Sequence, residues 1–252
     1  MINSTEIFTR QAVVFLLMAC MSSSLSFAQE KIMSYNIRGC RGIDGVYSCQ
    51  RIADVILREK PDVVAVQEID SMTNRSHGQY VLGEVAKLTG MHDSFASAIS
   101  YDGGKYGVGI LSREKPKRLT SYPLPGREEQ RVMLVAEFKR YVLCCTHLSL
   151  TESDRTASLL QIKKLAEATR KPFFLVGDFN DVPHSNFICT LMQDFVILSD
   201  LDARTFPSPR PEETIDYITI YKKKAGKVKV TTRKVVNESI ASDHRPVIVE
   251  LR

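Results

Sequence analysis

Eight polar residues of the 252-residue sequence stand at the ends of apolar runs: Asn36, Glu68, His147, Asp178, Asn180, Asp216, Asp243 and His244. Each has an ordinary explanation taken alone, since Asn and Asp close turns, a single Glu after a strand is commonly solvated, and His147 fits a satisfied core histidine. Their shared placement is less ordinary, because the strand ends of an open α/β sheet surround one crevice. The residue types also fit one chemistry. Glu68, Asn36 and Asp243 make an all-oxygen set suited to Mg²⁺ or Mn²⁺ rather than to a soft metal. Two histidines and an amide can donate hydrogen bonds to an oxyanion, while a separate aspartate orients or deprotonates a water. Such parts suit hydrolysis at phosphorus, where positioning and charge stabilisation dominate.

The elements that must carry these residues can be read from the periodicity. Lys31 to Arg38 reads as a first strand, followed by a glycine-containing loop from Gly39 to Gly45. Ser48 can cap a helix with Ile52, Val55 and Ile56 on one stripe, stopped by Pro61. Val63-Val64-Ala65-Val66 is a strand buried on both faces, and Val81, Val85 and Leu88 mark a second helix closed by Gly90. Strand-like segments come next at Ser94–Ile99, Gly107–Ser112, Val132–Phe138 and Tyr141–Leu148, the last two joined by a Lys139-Arg140 hairpin. Thr151 starts a helix with Asp154 placed for a capping box. Phe173–Val176, Ile215–Ile220, Lys227–Val236 and Val247–Leu251 complete the strands, with Pro246 opening the last one. Buried βαβ-like stretches mixed with hairpins predict two mixed sheets packed together with helices outside, a layered α/β sandwich.

Composition allows a single folded domain over residues 29–252, with 44% hydrophobic and 25% charged residues. The first 28 residues stand apart. Arg10, the apolar run Ala12 to Ala19, and Ser26-Phe27-Ala28 describe an export signal cut after Ala28. Leu17-Met18-Ala19-Cys20 offers a competing lipobox that would leave Cys20 lipidated. Both readings place the protein outside the cytosol, in the periplasm or the extracellular medium. Five cysteines then remain, Cys40, Cys49, Cys144, Cys145 and Cys189, so at least one has no partner within the chain. Cys40 and Cys49 bracket a short loop that a disulfide can close; Cys144 and Cys145 should face opposite ways on their strand. Net charge is +5, but seven cations with no intervening acid (Lys222, Lys223, Lys224, Lys227, Lys229, Arg233 and Lys234) account for more than all of it, leaving −2 without them. A run of this kind either binds phosphate backbones or anionic lipid or guards an exposed strand edge.

The succession SYNIR, VQE, YGVGILSR, THLS, GDFN, IDYI and SDHRPV, spread from residue 34 to 247, resembles the endonuclease/exonuclease/phosphatase superfamily of DNase I-like phosphoesterases. That resemblance implies a four-layer α/β/β/α sandwich and in-line attack of water on phosphorus. It implies Glu68 as the principal Mg²⁺ ligand with Asn36 beside it and Asp243 nearby. Asp178 and Asn180 would handle the attacking water and the phosphate, His147 and His244 would flank the scissile phosphate, and Asp216 would orient His244. Tyr106 and Arg131 correspond to supporting phosphate-side groups. Whether Asp178 or His244 takes the proton of the water is left open.

Reaction class is better specified than substrate. Arg38, with Arg41 and Asp44 on the adjoining loop, should border the site and contact a headgroup or sugar. The absence of tryptophan and the compact length favour a small phosphoester or lipid headgroup, with DNA or RNA as the alternative if the lysine run lines the groove. A non-catalytic binding protein would be expected to have lost a ligand or a base, and the set here is complete. No obligate protein partner is indicated, and a monomer is expected.

Overall fold

The computed structural model describes residues 29–252; the export signal expected over residues 1–28, and Cys20 with it, lies outside the described residues. The chain runs through β1 (Glu30–Asn36), α1 (Cys49–Glu59), β2 (Val63–Ser71), α2 (Val81–Thr89), β3 (His92–Tyr101) and β4 (Gly104–Ser112). It continues through β5 (Arg118–Leu124), β6 (Arg131–Glu137), β7 (Val142–His147), α3 (Glu152–Ala168), β8 (Phe173–Asp178) and α4 (Asn186–Asp194). The last strands are β9 (Phe195–Ile197), β10 (Asp216–Tyr221), β11 (Val230–Val235) and β12 (Val247–Leu251). They form two six-stranded mixed sheets, ordered β11-β12-β1-β2-β4-β3 and β5-β6-β7-β8-β10-β9. Helices α1 and α2 cover the outer face of the first sheet and α3 and α4 that of the second, giving the four layers expected.

Strand alternation explains how the layers position the site. Leu143 and Cys145 of β7, Phe174 and Val176 of β8, and Ile218 and Ile220 of β10 all enter the core between the sheets. Their neighbours Val142, Cys144, Phe173, Leu175, Tyr217 and Tyr221 pack under α3 and α4. Side chains two apart share a face, so His147, Asp178 and Asp216 continue the inter-sheet face at one end of these strands. Asn36 does the same two residues beyond Ser34 and four beyond Ile32, which lies in that core. The candidate site is therefore the polar end of the inter-sheet core. Cys144 and Cys145 face opposite layers as expected, and all five described cysteines are free thiols.

Several local expectations need correction. Ser48 caps α1, accepting from the Arg51 amide at 3.4 Å, and Lys60 ends the helix in the left-handed region just before Pro61. Thr151, by contrast, makes no side-chain cap on α3. Asp154 accepts instead from the Arg127 amide (2.9 Å) and guanidinium (3.0 Å), a charge-assisted bond that outcompetes the box. Strands β10 and β11, which the segment from Lys222 to Lys229 connects, do not pair: β10 lies in the second sheet and β11 at the edge of the first. Strand β5, a half-exposed edge, and helix α4, capped by Ser185, are additional elements.

Candidate active site

Glu68 reaches the site through a break in β2. The ladder between β2 and β4 shifts register between Val66 and Ile69, and Glu68 adopts φ +58°. The extra residue lets Ile69 return to the face beneath α1 and α2, while Glu68 lines the cleft between the sheets. Bulges beside active sites commonly re-aim a side chain in this way. Asn36, at the end of the adjacent β1, donates from Nδ2 to Glu68 Oε1 (3.0 Å) and to Asp178 Oδ2 (3.1 Å). Its Oδ1 accepts from the Arg38 amide at 3.1 Å. The amide group thus fastens Glu68 to Asp178, whereas the ligand role expected of Asn36 would need its oxygen turned toward them.

Asp178 is the centre of the arrangement. Its Oδ1 accepts from the Asn180 amide (2.9 Å), and its Oδ2 lies 3.6 Å from Nε2 of both His147 and His244. The preceding Gly177 has φ +153°, and a Cβ there would stand 1.9 Å from the Thr146 carbonyl oxygen. Only glycine permits β7 and β8 to approach this closely next to the carboxylate. Asn180, at φ +50°, donates from Nδ2 to the Leu148 carbonyl (2.8 Å), which ties the GDFN turn to the end of β7.

The two histidines have opposite electrostatics. Burial pushes His147 down to about 4, more than the nearby Asp178 carboxylate can offset. Burial also works against the charge on His244, but Asp216 and Asp178 outweigh it and hold that imidazole up at about 10. Asp216 Oδ2 lies 2.9 Å from His244 Nδ1, which leaves Nε2 toward Asp178 and the cleft. Ser242 holds the loop in place by donating to the Asn36 carbonyl at 2.7 Å. It also accepts from the His244 amide at 3.3 Å.

These groups line one cleft of 580 Å³. Glu68, His147, Asp178, Asn180, Asp243 and His244 line it, with Asp216 bonded to His244 from behind. Tyr106 and Arg131 also line it. Arg38 does not line it, and its Nε sits 3.4 Å from Asp243 Oδ2. The structure adds Glu129, Leu150, Asp181, Val182, Phe206, Glu213 and Ile215. Asp181 and Ile215 adjoin the GDFN and IDYI motifs, so neighbourhood could have suggested them. Phe206 and Glu213 lie in an aperiodic segment and carried no sequence signal.

The donor chemistry fits a hard divalent cation. Burial, with Asp243 and Asp178 close by, raises the pKa of Glu68 despite its bond from Asn36. Concentrated carboxylates of this kind repel one another until a cation is shared among them. Among the described residues, Asp178, Asp216 and His244 also bring ligand atoms within 4.8 Å of one another. In that trio, however, Asp216 and His244 already commit facing atoms to each other.

The sequence profile of the Endonuclease/Exonuclease/phosphatase family matches residues 33–244, a span that contains every one of these groups. This chain belongs to that family. The family's name covers endonucleases, exonucleases and phosphatases. Protein angel of Drosophila melanogaster is 23% identical over 195 residues, covering 66% of this chain and 51% of that protein. The chain thus spans about half the length of that curated relative. An endonuclease/exonuclease/phosphatase from Bacteroides vulgatus superposes with a TM-score of 0.72 at 19% identity, over 89% of this chain and 99% of its own. The mannosyl-6-phosphatase of Bacteroides thetaiotaomicron gives 0.70 at 18%, over 88% and 99%. The human Nocturnin catalytic domain gives 0.66 at 18%, over 90% and 94%. At these identities the structural likeness speaks for the fold.

Proposed function

We propose that this family member is an exported, Mg²⁺-dependent phosphoesterase acting on a small phosphoester or lipid headgroup. The observation that carries the reading is Asp178 Oδ2 standing 3.6 Å from both His147 and His244 in a cleft that also holds Glu68 and Asp243. Glu68 and Asp243 would hold the ion, which when bound supplies positive charge to the phosphoryl oxygens. The chain's own groups do the rest. Asp178 orients a water and accepts its proton, and His147 and His244 donate from Nε2 to phosphoryl oxygens. Asp216 keeps His244 in the tautomer and charge state this needs. Asn180 fixes the Asp178 carboxylate through its amide.

The nuclease alternative relied on the lysine run. Lys222–Lys224 come directly after Tyr221, at the end of β10 opposite Asp216, and none of the seven cations lines the cleft. Export is supported by Arg10, the apolar run after it and Ser26-Phe27-Ala28; a mature protein beginning at Gln29 is the expected mass-spectrometric result. The direct test is release of 4-nitrophenol from its phosphate mono- and diesters. Activity should vanish in chelator and return with Mg²⁺ or Mn²⁺, and chelator-insensitive turnover would remove Glu68 and Asp243 from their assigned role.

A further inference from the structure

The cleft wall beyond the proposed catalytic groups has an unusual balance of charge. Arg131 is the one Lys or Arg lining it among the described residues. Its charge is already paired, with Nη1 3.0 Å from Glu129 and Nη2 3.5 Å from Glu128, and its remaining Nε is buried. Arg155, which does not line the cleft, is 2.6 Å from Asp181, which does, and Arg38 is taken by Asp243. A substrate with several phosphates would meet carboxylates at each step and find no cation unpaired along this wall. Nucleic-acid grooves are built the other way round.

The wall contains a second, ordered feature. Phe206 and Glu213 face each other across an antiparallel bridge, with the Phe206 amide donating to the Glu213 carbonyl (3.0 Å) and the Glu213 amide returning to Phe206 (2.8 Å). This hairpin is fastened to the catalytic loop. The Arg245 amide donates to the Thr205 carbonyl (2.8 Å), and Ser208 donates to the carbonyls of Asp243 (from its amide, 2.6 Å) and Ser242 (from its hydroxyl, 2.6 Å). The Phe206 ring lies 4.8 Å from the His244 ring, centre to centre. Glu213 is exposed at the rim, and Val182 and Ile215 supply apolar surface beside them. A rigid aromatic face next to hydrogen-bond acceptors and the second Nδ2 hydrogen of Asn180, the first being donated to Leu148, matches a ring that is apolar on one side and hydroxylated at its edge.

We propose that the Phe206–Glu213 hairpin is the leaving-group wall of the cleft, selecting phosphoesters whose remainder is an uncharged, hydroxyl-rich ring, that is, a monosaccharide monophosphate. The proposal rests on the phosphoesterase reading for turnover but not for binding. Hydroxyls both donate and accept, so they can use the carboxylates and the Asn180 donor together. A second phosphate or a quaternary ammonium satisfies only one of the two.

The test compares phosphonate binding by calorimetry with Mg²⁺, using the whole mature chain. A hexose 6-phosphonate should bind at least about tenfold more tightly than methylphosphonate, as expected for a site that engages substrate hydroxyls. Phe206→Ala and Glu213→Lys should each remove most of that difference. Glu212→Lys, the same charge change on an exposed neighbour outside the cleft wall, should leave it in place. In turnover, the kcat/KM ratio of a hexose 6-phosphate over a hexose 1,6-bisphosphate should exceed about ten and collapse in Glu213→Lys. Equal binding of the two phosphonates overturns the proposal, as does tighter binding of 2-aminoethylphosphonate, or an equal loss in Glu212→Lys. If the hexose phosphonate binds selectively but no phosphate ester is cleaved, the wall stands and the hydrolase reading falls.

Discussion

The two ends of the inter-sheet core are made of the same strands and differ in the residues placed just past the apolar stretch. At one end His147, Asp178 and Asp216 continue the inward face into a cleft. At the other, Lys222–Lys224 turn out to solvent after Tyr221, and the chain crosses to the first sheet. There β11 is an edge strand whose Lys234 pairs with Glu59 at 2.7 Å and whose Arg233 donates to the Leu198 carbonyl at 2.8 Å. The cation-rich end therefore guards an edge, and the carboxylate-rich end forms the cleft. The same strands thus separate the surface cations from the acids and imidazoles of the cleft by the length of the core.

The sharpest way to break this contrast is at Asp178. Asp178→Asn should lower kcat/KM by about 10⁴-fold, the upper range for an acid–base group, because both histidines and Asn36 lose their shared partner. His244→Ala should cost about 10³-fold; a near-normal rate in initial-velocity assays would exclude it from the reaction. Glu68→Gln should cost about 10²-fold or more at saturating Mg²⁺ and raise the metal concentration needed for half-maximal rate. Replacing Lys222, Lys223 and Lys224 together by Ala should change kcat/KM on a small phosphoester by less than about twofold, since screening at physiological salt acts within about 8 Å.

The histidine pair offers a test without turnover. In metal-free protein, His244 has a raised pKa, so the stability it contributes is complete below its ordinary 6.5 and is lost as pH climbs through about 10. His147 is depressed, so its contribution is complete above 6.5 and is lost as pH falls through about 4. Melting temperatures of wild type and of His147→Gln should therefore converge in acid, and those of wild type and His244→Gln should converge in alkali. Nitrogen-15 spectra of the imidazoles would assign each limb.

Much of this was legible from sequence because strand periodicity is local. Val63–Val66 and Phe173–Val176 announce buried strands, and a polar residue directly after such a run has little choice of position. Glu68 was legible by its motif but not by its geometry, since alternation alone would have turned it beneath α1 and α2. The αL backbone at that position is a tertiary solution. The Asp154 capping box failed because Arg127, 27 residues earlier, displaced Thr151 as its partner, and sequence spacing does not reveal a distant competitor. Phe206 and Glu213 were invisible for the same reason: they are placed by bonds to the 242–245 loop rather than by any period of their own.

The bulge at Glu68 has a consequence for how this chain can vary. Gln67 and Glu68 together face the single Val108 of β4, so loss of one of them would close the bulge into a regular ladder while Ile69 stayed opposite Gly107 and Asp70 opposite Tyr106. Ile69 would remain in the layer under α1 and α2, and Asp70, 2% exposed and paired with Arg75 at 2.8 Å, would keep its niche. Such a deletion is thus penalised in the active site, through the aim of Glu68, and spared in the core. Among relatives that keep the activity, the spacing from Val63 to Asp70 should be invariant even where the residues filling it are not.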